Sequence, residues 1–207
     1  MQNEVIDMLK KSGAVITNSH IVYTSGRHGS IYINKDALYP HTAFSSRVGE
    51  LFAQKYKDTD IDVIAAPALG GIILSQWTAY HLSKIKNKEI LGVYTEKTPD
   101  NDQIFKRGYE SLVKNKNVLI LEDLTTTGGS VKKVVDSVRK AGGKVQAACV
   151  MVNRNPEITS ETIGASFSSL TVLKAESFLE AECPLCKKNI PINTTVGHGA
   201  KFIANLK

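Results

Sequence analysis

Hydrophobic positions along this chain fall into two alternating patterns. Short aliphatic runs, of the length of buried strands, are separated by segments whose apolar residues recur at helical spacing. Residues 2–11 read as an amphipathic helix, followed by an extended segment at Val15–Tyr23, a glycine-rich turn at Thr24–Ser30 and a strand at Ile31–Asn34. After Pro40, the positions Phe44, Val48, Leu51, Phe52 and Tyr56 mark a helix. Asp62–Pro67 is a strand, Ile72–Leu82 a helix with Trp77 read as core, and Glu89–Tyr94 a further strand. Val118–Leu121 is a run of four aliphatic residues, suited to a strand buried on both faces. Val131, Val134, Val135 and Val138 then give one apolar stripe ending at Gly142-Gly143, a helix terminator. Lys144–Val152 and a short stretch at Val172-Leu173 complete the strands. Alternation of this kind predicts an α/β fold, a parallel sheet with helices on both faces. No repeat or linker divides it, so one domain over residues 1–207 is expected.

Chemistry concentrates where the predicted strands end. Glu122 and Asp123 follow Val118–Leu121, and a run of hydroxyls and glycines, Thr125, Thr126, Thr127, Gly128, Gly129 and Ser130, leads into the helix. Such a loop can direct several backbone N–H groups and hydroxyls at one phosphate. The carboxylates would repel bare phosphate, but suit sugar hydroxyls or a Mg²⁺ ion carrying the phosphates. Acid pair and loop together therefore ask for a ligand with both a ribose and a phosphate. A second Gly loop, Ala68, Leu69, Gly70 and Gly71, follows the Asp62–Pro67 strand, and a polar segment at 95–109 with Lys97, Lys106 and Arg107 follows Tyr94. Pro99 and its polar neighbours argue against regular structure through the first half of that segment. All three loops would meet at the carboxyl ends of the strands, where open parallel sheets bind ligands.

Composition narrows the classes. The chain has 207 residues, 42% of them hydrophobic, and a net charge of +6 from 26 basic and 20 acidic residues. That balance favours an anionic partner, but no arginine tract or aromatic RNA-reading motif points to nucleic acid. Neither the phosphate-loop pattern G-x-x-x-x-G-K-[ST] nor a dinucleotide fingerprint occurs. No apolar run reaches the roughly 20 residues of a membrane span, and the N-terminus lacks signal-peptide character, so a cytoplasmic protein is expected. Of three cysteines, Cys149 reads as buried core. Cys183 and Cys186 form a single C-x-x-C, two ligands of the four a zinc site needs, with His198 a candidate third.

The stretch VLILEDLTTTGGS resembles the phosphoribosyl pyrophosphate (PRPP) signature of type I phosphoribosyltransferases: an apolar strand, two acids, an apolar residue and a Thr/Gly loop. The Ser25-Gly26-Arg27 turn with the Tyr32-Ile33 strand, the Lys106-Arg107-Gly108-Tyr109 segment and the CPLC tail resemble the orotate branch of that family. The resemblance implies a hood, at about 13–40 and 170–207, over a core at about 41–169. It implies that Tyr32, Ile33, Thr126 and Arg154 bind orotate, and that Glu122 and Asp123 hold the ribose hydroxyls. Thr125 through Ser130 would grip the 5-phosphate, with Leu124 also binding PRPP, and Ala68 to Gly71 would receive pyrophosphate. Lys97, with Lys106 or Arg107, would close over pyrophosphate. Lys97, Asp123 and Glu122 are the expected catalytic residues, with Mg²⁺ carried on PRPP and Asp123 as its nearest side chain. The expected assembly is a homodimer whose 95–109 loop reaches the neighbouring site.

The chain departs from the orotate pattern at Thr24 and Gly70, where many members have lysine, and lacks the R-K-x-x-K-x-H loop. Two other readings stay open. One is a phosphoribosyltransferase for a purine or uracil; the other is a PRPP-sensing regulator of the same fold that binds nucleic acid.

Overall fold

The computed structural model describes residues 2–23, 25–174 and 176–205; Thr24, at the head of the expected glycine-rich turn, lies outside them. Helix α1 (Gln2–Lys11) leads into four two-residue strands: β1 (Val15–Ile16), β2 (Ile21–Val22), β3 (His28–Gly29) and β4 (Tyr32–Ile33). They form two small antiparallel sheets, β1 with β4 and β2 with β3. After α2 (Thr42–Lys55) come β5 (Val63–Pro67), α3 (Gly70–Lys86), β6 (Leu91–Lys97), β7 (Gln103–Phe105) and α4 (Tyr109–Val113). The chain continues with β8 (Asn117–Thr125), α5 (Gly129–Lys140), β9 (Lys144–Asn153), α6 (Ser160–Ile163) and β10 (Phe167–Val172). Two short helices, α7 (Pro184–Lys187) and α8 (Gly199–Ala204), occupy the tail. Among the described residues, no helix is long and apolar enough to cross a membrane.

The main sheet has six strands in the order β10-β9-β8-β5-β6-β7. All neighbours are parallel except the β6–β7 edge hairpin. Its central strands are apolar on both faces because both faces are covered. Ile64, Ala66, Leu119, Leu121, Cys149 and Met151 pack on one side with Val5, Leu9, Val48, Phe52 and Leu74. Val63, Ala65, Val118, Ile120, Ala148 and Val150 pack on the other with Val131, Val134, Val135 and Val138 of α5. From β5 the chain winds one way to β6, and from β8 the other way to β9 and β10. The reversal between β5 and β8 leaves a crevice at their carboxyl ends, the switch point where such sheets hold ligands.

Several elements differ from the sequence expectation. Strand β8 runs on through Glu122 and Asp123 to Thr125, so the acids are strand residues and not loop residues. They are tolerated there because buried partners meet them, as described below. Strand β6 extends to Lys97 and pairs with β7, so the polar 95–109 segment is partly a hairpin; Thr95↔Phe105 and Lys97↔Gln103 are in register. Strand β10 spans Phe167–Val172 and excludes Leu173. Its Ser168 and Ser169 hid it from a search for aliphatic runs. Trp77 is not core: it is half-buried on α3, its ring 5.8 Å from that of Tyr80 and 6.0 Å from that of His81.

Helices α2 and α3 pack closely where Gly49 faces Trp77. A Cβ at Gly49 would stand 2.5 Å from Trp77 Cβ and 2.7 Å from its carbonyl carbon. Because backbone cannot yield as a side-chain tip can, Gly49→Val should cost about 1–3 kcal/mol. The urea midpoint should fall with the slope unchanged; an unaltered midpoint would show that the two helices separate freely.

Candidate active site

Successive side chains of a strand point to opposite faces, and this separates the two acids. Glu122 turns toward the start of α5. Ser130 Oγ donates to its Oε2 at 2.8 Å and the Asp123 N–H to its Oε1 at 3.1 Å. Asp123 turns the other way. Lys35 Nζ donates to Asp123 Oδ2 at 2.6 Å and Tyr39 OH to the same oxygen at 2.9 Å, while the Leu124 N–H reaches Oδ1 at 2.6 Å. Glu122 and Asp123 are 7% and 3% exposed, so both carboxylates are withdrawn from water.

Burial and, after it, the Asp123 charge push the Glu122 carboxyl up to about 8. Burial works against the Lys35 ammonium, yet the facing Asp123 carboxylate outweighs it and holds Lys35 above the usual lysine value. Tyr39 is held well above the ordinary phenol range by burial and by the Asp123 charge.

The Thr/Gly loop is shaped by bonds from its backbone N–H groups to its own hydroxyls. The Gly128 N–H donates to Thr125 Oγ1 at 3.0 Å and the Gly129 N–H to Thr127 Oγ1 at 3.4 Å. Gly128 has φ +79°, a left-handed value, and a Cβ there would meet Ile163 Cδ1 at 2.7 Å, so glycine alone fits. Gly70, at the start of α3, is equally constrained. A Cβ there would overlap Asp123 Oδ2 and come within 2.7 Å of Tyr39 OH. The loop after β5 is thus pressed against the acid of β8.

Two cavities adjoin at this point and share Lys35, Leu124 and Thr127. One, of about 530 Å³, is lined by Ala68, Lys97, Glu122, Asp123, Gly129, Ser130 and Lys133. The other, of about 600 Å³, is lined by Tyr23, Arg27, Tyr32, Ile33, Thr126, Arg154 and His198. Two larger cavities, about 800 and 670 Å³, include no residue of the acid pair or the Thr/Gly loop. Size is therefore a poorer guide here than chemistry.

The residues expected from sequence divide accordingly. Glu122, Asp123, Leu124, Thr127, Gly129, Ser130, Ala68 and Lys97 come together around the first cavity. Tyr32, Ile33, Thr126 and Arg154 line the second. Arg154 Cζ lies 5.0 Å from the centre of the Tyr23 ring, and Arg154 Nε is buried without a hydrogen-bond partner. Thr125 is buried and spends its hydroxyl on Gly128. Leu69 is 82% exposed, and Gly70 and Gly71 are buried under the loop. Lys106 and Arg107 line neither cavity; both grip Glu96, at 3.3 and 3.0 Å. His198 lines the second cavity and is not beside the cysteines.

Lys35, Tyr39, Tyr23, Arg27 and Lys133 belong to the site and were not singled out individually, apart from Arg27 within its turn. Lys35 opens a 3-10 turn (Lys35–Ala37) with no periodic signal and Tyr39 follows it, and Lys133 reads as the polar face of α5. The one available signal was the need of a buried acid pair for a cation.

Residues 34–176 match the phosphoribosyl transferase domain family, which defines the class of fold and site. The chain is 32% identical, over 92% of its length and 95% of the relative's, to the orotate phosphoribosyltransferase of Caldanaerobacter subterraneus subsp. tengcongensis. It is 33% identical over the same shares to that of Thermoanaerobacter sp.. Among solved structures, the orotate phosphoribosyltransferase of Aeropyrum pernix aligns with a TM-score of 0.63 at 26% identity, covering 82% of this chain and 93% of that one. That of Mycobacterium tuberculosis H37Rv in complex with inorganic phosphate aligns at 0.66 and 20% identity, covering 83% and 96%. The chain belongs to the orotate phosphoribosyltransferase family of type I phosphoribosyltransferases.

The raised Glu122 value has a consequence for stability. The carboxyl sits above its ordinary value of 4.5, so the folded state favours its protonated form. That contribution is complete below about pH 4.5 and is lost as pH rises toward about 8, at up to about 1.4 kcal/mol per pH unit. Glu122→Gln, which cannot ionise, escapes the loss. The melting temperature of the variant minus that of the wild type should therefore grow between pH 5 and pH 8.5 by about 3 °C or more. A constant difference would show that Glu122 is already ionised at pH 5.

Proposed function

We propose that this protein transfers ribose 5-phosphate from PRPP to orotate, releasing pyrophosphate and forming orotidine 5′-monophosphate. The observation that carries this reading is the pair of adjoining cavities. One offers an acid pair, a hydroxyl-rich loop and lysines, and suits a sugar carrying phosphates. The other offers two tyrosines and two arginines, and suits a flat anionic base. Lys35, Leu124 and Thr127 stand at the join, where the anomeric carbon would lie between its old and new partners.

In the reaction the bond from the anomeric carbon to the pyrophosphate oxygen breaks and a bond to the orotate ring nitrogen forms. The sugar becomes oxocarbenium-like in between, as in glycoside cleavage. Asp123 accepts from the ribose hydroxyls and its charge offsets the growing positive charge, while Glu122 meets the same hydroxyls by hydrogen bonding. Thr126 to Ser130 hold the 5-phosphate. Lys97 faces the departing pyrophosphate, and Lys133 adds a second cation on that wall. Tyr32 and Ile33 cover the base, and the partnerless Arg154 Nε is matched to its carboxylate. The proton that leaves the orotate ring nitrogen passes to the departing pyrophosphate or to water, so no protein base is assigned.

The donor set fits Mg²⁺, a hard ion that takes oxygen ligands. All four oxygens of Glu122 and Asp123 already accept from protein groups. An ion would therefore be held mainly by oxygens of PRPP, with Asp123 and Glu122 the side chains on hand, and would supply positive charge to neutralise the pyrophosphate. We place the activity in the cytosol and the active form in a homodimer. Lys97 then serves its own subunit, while Lys106 and Arg107, on the outer side of the hairpin, reach the neighbouring site.

Against PRPP, Mg²⁺ and a panel of orotate, uracil, adenine and hypoxanthine, consumption should be confined to orotate. Arg154→Leu should raise KM for orotate about 10- to 100-fold, the range of a charged hydrogen bond, with KM for PRPP nearly unchanged. Turnover of a purine or uracil in place of orotate would overturn the base assignment.

The dimer reading has a separate test. Asp123→Asn should lower turnover about 100-fold or more, and the double variant Lys106→Ala, Arg107→Ala should also be impaired. Mixed after unfolding and refolding together, the two should regain roughly a quarter of wild-type activity, since half of random dimers carry one complete site. No recovery in verified mixed dimers would confine the loop to its own subunit.

A further inference from the structure

Beyond the transferase site, four side chains with soft or borderline ligand atoms converge under the hood. They are His20, beside β2, His28 of β3, and Cys183 and Cys186 at α7. One ligand atom from each lies within 4.8 Å of all the others. We propose that these four residues bind a structural zinc ion that ties the two ends of the chain together.

The geometry is that of a tetrahedral centre. Bonds of about 2.3 Å to sulfur and about 2.0–2.1 Å to nitrogen place ligand atoms about 3.4–3.8 Å apart at tetrahedral angles. Cys183 Sγ lies 3.7 Å from His20 Nε2, Cys186 Sγ lies 3.6 Å from the same nitrogen, and Cys186 Sγ lies 3.3 Å from His28 Nδ1. The two ring nitrogens are 2.9 Å apart and need to open by only a few tenths of an ångström. His20 Nδ1 donates to the Ile190 carbonyl at 2.7 Å, which leaves Nε2 with its lone pair toward the cluster. A second hydrogen bond of that kind is the usual way a ligating imidazole is oriented. Two sulfurs and two nitrogens in a closed, buried setting select zinc over the hard ions. Both cysteines are free thiols, and His20, His28 and Cys183 are buried.

A clamp here has a mechanical purpose. Among the described residues, the tail meets the hairpin through scattered backbone contacts, among them His28 with Phe178, His20 with Ile192 and the His198 N–H on the Val22 carbonyl at 2.8 Å, and a few side-chain hydrogen bonds such as Asn193 Nδ2 to Ser19 Oγ at 2.9 Å. Among the described residues, the hairpin strands have two residues each, too short to hold a fold alone. Arg27, next to His28, donates to the Ser177 carbonyl at 2.6 Å and lines the base cavity. The ion would therefore fix the wall of that cavity, and this part of the inference rests on the function proposed above.

The test reads metal and stability first, without substrate. Full-length protein bearing no polyhistidine tag, purified under reducing conditions from zinc-supplied cells, should contain about one zinc per chain. Cys183→Ser with Cys186→Ser should reduce this at least tenfold. Removing zinc with a strong chelator should lower the melting temperature by about 5 °C or more, and Zn²⁺ alone should restore it. Co²⁺ in its place should give the visible bands of a tetrahedral centre with thiolate ligands. In the zinc-free protein, KM for orotate should rise at least fivefold with kcat changed less than twofold. A wild-type protein that holds no zinc, and neither binds nor is stabilised by added Zn²⁺, would overturn the proposal, as would zinc retained by the double variant. Zinc found as expected with orotate KM unmoved would overturn the link to the base cavity alone.

Discussion

Two adjacent carboxylates buried at the end of a central strand are the constraint around which the rest of the site is arranged. Withdrawing them from water is costly unless donors replace the water. Here every carboxylate oxygen has a donor, and the donors come from three separate parts of the chain. Ser130 comes from the helix that follows, the Asp123 and Leu124 N–H groups from the strand itself, and Lys35 and Tyr39 from the segment after the small N-terminal sheets. Satisfying Asp123 therefore draws the N-terminal segment onto the main sheet. The same requirement excludes any side chain at Gly70, because the loop after β5 must lie against Asp123 and Tyr39.

The alternation of a strand turns one dipeptide into two functions. Glu122 faces α5 and organises the end of the Thr/Gly loop through Ser130. Asp123 faces Lys35 and the join between the cavities. Had the strand ended at Leu121, a flexible turn could have sent both acids to the same side. Its continuation to Thr125 fixes them apart, and the switch between β5 and β8 supplies the crevice in which both are useful.

How far the sequence disclosed this follows from the range of each interaction. Buried strands and the α5 stripe declare themselves locally, since every residue of Val118–Leu121 and every valine of α5 reports the same burial. The acid pair and the Thr/Gly loop are contiguous, so their chemistry is visible in one window. Lys35 is 88 residues from Asp123, and nothing in its neighbourhood predicts the partner. Strand β7 was missed for a similar reason. It is three residues long, its polar Gln103 is buried against Thr95, and only its pairing with β6 makes it a strand. Trp77 failed in the opposite sense: its apolar neighbours on α3 are real core, but its own side chain falls at the edge of that face.

The C-x-x-C shows the same limit most sharply. Two cysteines, one just before and one within a four-residue helix, are half of a tetrahedral site, and a search along the sequence offers His198 as the nearest histidine. In three dimensions His198 lines the second cavity, and the residues that meet the cysteines are His20 and His28, more than 150 residues away. Those residues sit on or beside strands too short to be stable unaided, opposite a tail with little regular structure. A contact closing so long a loop must offset a large chain entropy, and weak backbone bridges are poorly suited to do so. The histidine–cysteine cluster stands where that deficit is greatest. It belongs to the same logic as the Lys35–Asp123 pair: strong, specific interactions are placed where the hood must be fastened, first to the sheet and then to the chain's own end.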